Sequence, residues 1–257
     1  MIESQICEVV NNTLINNEIF ILEVQWKYIP PKAGQFFMLK PERTSVFLPR
    51  PVSVFEYNPE QLKIKFLIVK AGTGTNEMSL LKPQEKIRLT GPLGNAWSDF
   101  LSGDKIALAG GSAGIAPLAA LIAENQKQNF KFHFYAGFKN GFSCKEEENA
   151  VLGCALKAQK LIITAEDGIN ALRGTVLDYI DTKENYNALF ACGSHAMIKA
   201  AKIFCEKANI PCYVSLDSRM ACGVGACLGC RVKTVNGNRR CCADGPIFPA
   251  GDLIFYD

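Results

Sequence analysis

Long apolar runs are missing from this chain. None approaches the roughly 20 residues needed to span a bilayer, which argues against a membrane-spanning protein. Histidine is scarce, with only 2 residues. His133 falls inside an apolar strand pattern and reads as structural, and His195 reads as a first-turn helix residue rather than a base. Charge of one sign is not in excess: the net charge of +3 is small and unclustered, so nothing points to a nucleic-acid surface. Residues 1–5 lack a basic segment followed by an apolar one, which predicts a cytoplasmic protein without a secretory leader. Internal repeats and low-complexity linkers are also absent. The Lys-Glu run over 145–148 reads as a solvated face. No cluster of carboxylate, cysteine or lysine is visible that would bind a small organic substrate and remove its proton.

Cysteine, by contrast, is abundant, with 11 residues. Cys222, Cys227 and Cys230 are spaced C-x4-C-x2-C, and Cys241 and Cys242 follow on what reads as the next strand. This is the plant-type pattern for a [2Fe-2S] cluster, in which four thiolates hold two irons. Gly223, Gly225 and Gly229 fit a loop wrapped tightly around such a group. A structural zinc site usually shows paired C-x2-C knuckles, whereas only Cys227 and Cys230 have that spacing here. A disulfide framework fits an odd cysteine total and a chain of 257 residues poorly. Neighbours on an extended strand face opposite ways, so one of Cys241 and Cys242 completes the set; the residues themselves do not say which.

Up to about residue 97 the rhythm is short and period-two. Strands are predicted over 6–10, 19–24, 35–39, 52–55, 63–69 and 86–89, and six such strands suggest a closed antiparallel barrel. Two stretches in this half are candidates for chemistry. Arg50-Pro51-Val52-Ser53 sets a cation and a hydroxyl at a strand entrance, suited to a phosphate and a flat ring. Residues 71–75, with Gly72, Gly74 and Thr75, open a short helix whose exposed N–H groups suit an anion. The Gly91 to Asn95 stretch reads as a turn closing the barrel.

Beyond about residue 100, strands at 105–109, 130–135, 160–164, 188–191 and 211–215 alternate with helical stretches, notably 175–180 and 195–208. That alternation predicts a parallel α/β sheet with ligands beyond the strands' C-terminal ends. Gly110, Gly111 and Gly114 follow the first of these strands, and Cys192-Gly193 ends the fourth, so both lie on one rim. Residues 247–255 read as an apolar tail. The domains expected are 1–98 for the barrel, 99–212 for the α/β unit and 213–257 for the cluster.

Taken in this order, Arg-Pro-x-Ser, Gly-Gly-x-x-Gly-Ile-x-Pro-Leu and the cysteine segment resemble the ferredoxin reductase superfamily. Residues 217–227 and 242–248 are similar, more narrowly, to the electron-transfer subunits of class 1B dihydroorotate dehydrogenases. The resemblance implies FAD bound by Arg50, Pro51, Val52 and Ser53, by the backbone of Leu67, Ile68 and Val69, and by Gly72, Gly74 and Thr75. It implies NAD pyrophosphate against Gly110, Gly111 and Gly114, with Cys192 and Gly193 beside the nicotinamide. Its C-x-D-G-P pattern selects Cys242 as the fourth cluster ligand, after Cys222, Cys227 and Cys230. It further implies an FMN-containing catalytic partner in a heterotetramer, with electrons passing to NAD+ in pyrimidine synthesis. Ser194 stands where such reductases commonly have proline, and Lys139 lies where a 2'-phosphate would be met. The rivals to that reading are the small flavin and iron-sulfur subunit of an NADH-dependent ferredoxin:NADP reductase or sulfur reductase, a non-catalytic redox sensor, and a zinc-stapled binding module.

Overall fold

The computed structural model describes residues 3–126 and 128–255; Met1 and Ile2, part of the N-terminal stretch read above, lie outside them. The first half runs β1 (Glu3–Leu14), β2 (Ile19–Gln25), β3 (Phe36–Pro41), β4 (Arg50–Ser53), β5 (Glu56–Asn58), β6 (Lys63–Val69), helix α1 (Thr73–Ser79) and β7 (Lys86–Leu93). These strands form one curled antiparallel sheet in the order β4-β3-β7-β1-β2-β6-β5. Alternation sets the curl. Phe20, Leu22 and Val24 on β2 and Ile64 and Phe66 on β6 turn inward and are fully buried. Each such side chain contributes about 1.5–3 kcal/mol. The strand β5, with only three residues, is too short to announce itself by period and was not expected. The two edges of the sheet, β4 and β5, are consecutive in the chain. Between them the N–H of Val54 donates to Gln35 at 3.1 Å and that of Phe55 to Lys65 at 3.0 Å, so the backbone steps from one edge to the other; no ladder joins β4 to β5, and the sheet is a curled half-barrel rather than the closed barrel expected.

The second half contains β8 (Lys105–Gly111), α2 (Ile115–Glu124), β9 (Lys131–Phe138), α3 (Lys145–Leu152), β10 (Lys160–Ala165), β11 (Leu172–Arg173), β12 (Ala188–Cys192), α4 (His195–Ala208) and β13 (Cys212–Ser215). After these come β14 (Arg231–Thr234), β15 (Gly237–Arg240), α5 (Cys241–Asp244) and β16 (Ile247–Pro249). A second sheet has the order β11-β10-β9-β8-β12-β13-β16. It is parallel except for β16, which pairs antiparallel with β13. The chain leaves β8 in one direction along the sheet and returns on its other side at β12. A crevice opens at such a reversal, beyond the strand ends.

Helix α2 is buried at every position from Ile115 to Ile122 because it is covered by the sheet on one side and by the barrel on the other. Its Glu124 accepts a hydrogen bond from the N–H of Ala33 at 2.8 Å, tying the two halves together. His133 is structural, as expected: it is buried on β9 and hydrogen bonded through Nδ1 to the Tyr186 hydroxyl at 2.8 Å.

Five local readings change. Gly91 to Leu93, read as the start of a turn, are the end of strand β7, and the chain leaves the strand only at Gly94. The run over 145–148 is solvated only in part: it starts α3 with Lys145 and Glu146 exposed, whereas Glu148 is buried. The stretch 175–180 forms only a short 3-10 turn, Val176–Tyr179. The apolar tail is β16 and the turn after it, so β13 is not the last strand and the cluster segment leaves and re-enters this sheet. Cys241 and Cys242 lie on a helical turn rather than a strand, because Asp244 reaches back to Arg240, accepting from its backbone N–H at 2.7 Å and from its guanidinium at 2.8 and 3.0 Å.

Candidate cofactor and metal site

At the barrel mouth, Arg50 of β4 and Gly74 of α1 are in contact. A β-carbon built on Gly74 would fall 2.9 Å from Arg50 Nε, so the guanidinium lies flat against the helix start only because no side chain is there. Arg50 Nη1 donates to the carbonyl of Leu48 at 2.7 Å, which fixes the rest of the fork. Thr75 Oγ1 accepts from the N–H of Ala71 at 2.9 Å and of Gly72 at 3.2 Å and so holds the glycine loop. Ser53 pairs across the ladder with Phe36, while Leu67 and Ile68 are buried and Val69 is half-buried on β6. Leu67 shares a core with Ile115 and Cys192, which puts β6 against the turn that follows β8.

That turn, Ser112–Gly114, and the end of β12 approach each other through bare backbone. A β-carbon on Gly114 would lie 2.2 Å from the carbonyl oxygen of Cys192, and one on Gly193 would lie 3.3 Å from Gly111 and 2.5 Å from Met197 Sδ. Gly110, Gly111, Gly114, Cys192 and Gly193 are thus gathered at the strand reversal. Burial pushes the Cys192 thiol up to about 12, with a hydrogen bond to Ser215 opposing, so it remains a neutral lining group. Ser194 caps α4 by accepting from the Met197 N–H at 3.2 Å, a physical reason for serine there. His195 is the first residue of α4 and packs edge-on against Phe255 at 5.0 Å, as a helix residue rather than a base. Lys139 is exposed just past β9.

The cysteine loop packs on the barrel. Met220, Cys230, Cys241 and Cys242 are buried with Phe36, Met38 and Leu93. Phe36 is the partner of Ser53, so the loop sits one strand from the Arg-Pro-x-Ser segment. Gly223 (φ +70) and Gly225 (φ +78) take left-handed conformations, as does Leu228 (φ +57) at a cost of roughly 1–2 kcal/mol for a residue with a β-carbon. Those turns aim backbone N–H groups at sulfur. Cys227 donates to Cys222 Sγ at 3.4 Å, Gly225 to Cys242 Sγ at 3.1 Å and Cys242 to Cys230 Sγ at 3.5 Å. Burial opposes ionisation of Cys222, yet the N–H groups of Cys227, Val224 and Ala226 outweigh it and hold the thiol down at about 6.

The sulfurs are arranged as two pairs, Cys222 with Cys227 and Cys230 with Cys242. Among the described residues no three His, Cys, Asp or Glu side chains are grouped for a single metal ion. Two thiol pairs supplied with sulfur-directed amides fit a two-iron group, each iron taking two thiolates. Cys241 is turned away, with its Sγ donating to the carbonyl of Leu216 at 3.3 Å. Asn95 was read only as part of a turn. Its side chain in fact donates to Ile247 O at 2.8 Å and accepts from Ile247 N at 3.0 Å, locking the barrel to β16. A lone Asn after glycine carries no sequence signal for so distant a partner.

Barrel, reversed parallel sheet and inserted cysteine loop define a ferredoxin-reductase-like fold. A solved NADH-dependent reduced ferredoxin-NADP oxidoreductase superposes with a TM-score of 0.81 at 23% identity, covering 96% of this chain and 89% of that one. A ferredoxin NADP+ reductase from Neisseria gonorrhoeae, solved with bound FAD and NADP, gives 0.62 at 15% identity, covering 79% and 91%. A family model, the iron-sulfur cluster binding domain of dihydroorotate dehydrogenase B, matches residues 217–254. The dihydroorotate dehydrogenase B (NAD(+)) electron transfer subunit of Clostridium acetobutylicum is 35% identical over 250 residues, 97% of each chain. The chain belongs to that family of electron-transfer subunits.

Proposed function

We propose that this chain links NAD to an FMN-containing dihydroorotate dehydrogenase catalytic subunit through one FAD and one [2Fe-2S] cluster, as part of a cytoplasmic heterotetramer in pyrimidine synthesis. The observation that carries this reading is the adjacency of three sites around one junction. The cysteine loop lies one strand from Ser53, and β6 packs against the glycine turn at the sheet reversal. When bound, a flavin exchanges hydride with nicotinamide and a [2Fe-2S] cluster carries single electrons.

The chain's own residues supply binding and orientation. Arg50 offers its guanidinium to a phosphate, the bare Gly74 leaves room for it, and Ser53 presents a hydroxyl at the ring end of the same strand. Pro51, Val52 and the backbone of Leu67, Ile68 and Val69 line the mouth, and Gly72 and Thr75 shape the loop facing the pyrophosphate. Gly110, Gly111 and Gly114 admit a dinucleotide backbone, with Cys192 and Gly193 beside its nicotinamide. Cys222, Cys227, Cys230 and Cys242 hold the cluster. The pair Cys230 and Cys242 is buried toward the barrel, while Cys227 is exposed on the outer side.

Arg50→Ala is expected to weaken FAD retention by about 1–3 kcal/mol, the scale of a charge-assisted hydrogen bond. FAD content after dialysis is the readout, and full occupancy in both Arg50→Ala and Ser53→Ala counts against this site. The whole assignment is tested by adding the partner. The isolated chain should reduce a dye with NADH and leave dihydroorotate untouched, and dihydroorotate oxidation should begin only when the FMN-containing subunit is present. Oxidation of dihydroorotate by the chain alone would remove the subunit reading.

A further inference from the structure

The small net charge conceals a local concentration. Residues 231–240 hold Arg231, Lys233, Arg239 and Arg240 and no carboxylate, more positive charge than the net +3 of the whole chain. They fold as the hairpin β14–β15, in which Arg231 stands directly opposite Arg240 and Val232 opposite Arg239. Like charges facing each other across a ladder cost stability. Asp244 relieves one of them by accepting from the Arg240 guanidinium at 3.0 and 2.8 Å. Arg231 and Arg239, on the two strands of the hairpin, are exposed.

Hydrogen bonds tie the hairpin to the segment after β16 and close its turn. The N–H of Val235 donates to Asp252 O at 2.8 Å, the N–H of Ile254 donates to Lys233 O at 3.0 Å, and Thr234 Oγ1 closes the turn on Gly237 O at 2.7 Å. It also begins immediately after Cys230 and ends immediately before Cys241 and Cys242, so a surface resting on it rests beside the inner thiol pair. A cationic platform spliced between two cluster ligands suits a protein partner that exchanges electrons there; for a passive solubility patch that position would be arbitrary.

We propose that hairpin β14–β15 is an electrostatic docking platform for an acidic face of the catalytic partner subunit. This rests on the reading of function above and names the surface and charge by which the partner is recognised. Charges at the edge of an interface act mainly on the association rate and on its sensitivity to salt.

The test uses the cofactor-loaded chain and the FMN-containing subunit from the same organism, with association followed at low and high salt, about 50 and 500 mM. In R231E/R239E the association rate at low salt is expected to fall roughly tenfold or more and to lose its salt dependence. Iron content and NADH-dependent dye reduction should stay at wild-type levels. R231K/R239K, which keeps the charge, should associate like the wild type. Wild-type rate and salt dependence in the Glu variant overturn the proposal, and loss of duplex DNA retention in that variant without any change in subunit association reassigns the hairpin to nucleic acid. Equal impairment in the Lys variant also overturns it, since shape rather than charge would then be read. A wild-type chain that fails to engage the subunit at all overturns this proposal and the subunit reading together.

Discussion

Cys242→Ser is expected to abolish iron binding, whereas Cys241→Ser retains a full cluster. The two residues are adjacent, and the difference between them is rotational. On the helical turn α5 successive side chains point about 100° apart. Cys242 Sγ lies against the Gly225 N–H and pairs with Cys230, while Cys241 Sγ is committed to the Leu216 carbonyl. Because ligation and local folding are coupled, losing one ligand empties the loop rather than weakening it slightly. Iron per chain and the EPR signal of the reduced protein provide the measure. Full iron in Cys242→Ser with loss in Cys241→Ser would reverse the assignment.

Gly114→Ala should strike the other end of the wire. Its φ of −64 suits any residue, so the cost is purely steric. The new methyl would sit 2.2 Å from the Cys192 carbonyl oxygen and 2.8 Å from the Gly193 nitrogen, and neither is a side chain that can swing away. The turn after β8 and the end of β12 must part. Overpacking of this kind costs about 1–3 kcal/mol, and a displaced crevice is expected to raise the KM for NADH roughly tenfold or more. Gly110→Ala, whose methyl would meet Ile115 at 3.0 Å from Cγ1 and 3.1 Å from Cα rather than at 2.2 Å, should be milder. Unchanged KM and melting temperature in Gly114→Ala, with FAD and iron intact, would mean that the close approach does not shape the nucleotide site.

Local signals were readable from the residues, and long-range ones were not. Period-two strands, the near-continuous apolar run of β8 and the C-x4-C-x2-C spacing each fit within a few residues, and each is found in place. The return of β16 to pair with β13 depends on residues more than 30 positions apart, and nothing local marks it. The Cys-Cys pair misled for a different reason. A strand rhythm does run up to Arg240, but the i,i+4 spacing of Arg240 and Asp244 was the overlooked sign of a helical turn. Cys242 was selected by family pattern alone; the strand argument, which said only that one of the two could serve, had the wrong local geometry, and the Cys242 sulfur does face the loop. In α3, three successive glutamates suggested exposure. Their favourable place is the first turn of a helix, and the third of them, Glu148, folds under.

The insertion of the cysteine loop between β13 and β16 also bears on how such a protein gained its cluster. An antiparallel strand pair needs only a tight turn to connect it, and lengthening that turn is cheap: each doubling of loop length costs about 0.6 kcal/mol. From a four-residue turn to the stretch 216–246 is three doublings, about 2 kcal/mol, a sum that the contacts of Met220 with Met38 and Leu93 can match. Neither strand has to change register, and Leu216 and Pro246 still join at the loop's neck through a 2.9 Å hydrogen bond. The electron-carrying segment is therefore separable in principle, an expanded hairpin tip on a nucleotide domain whose sheet would close without it.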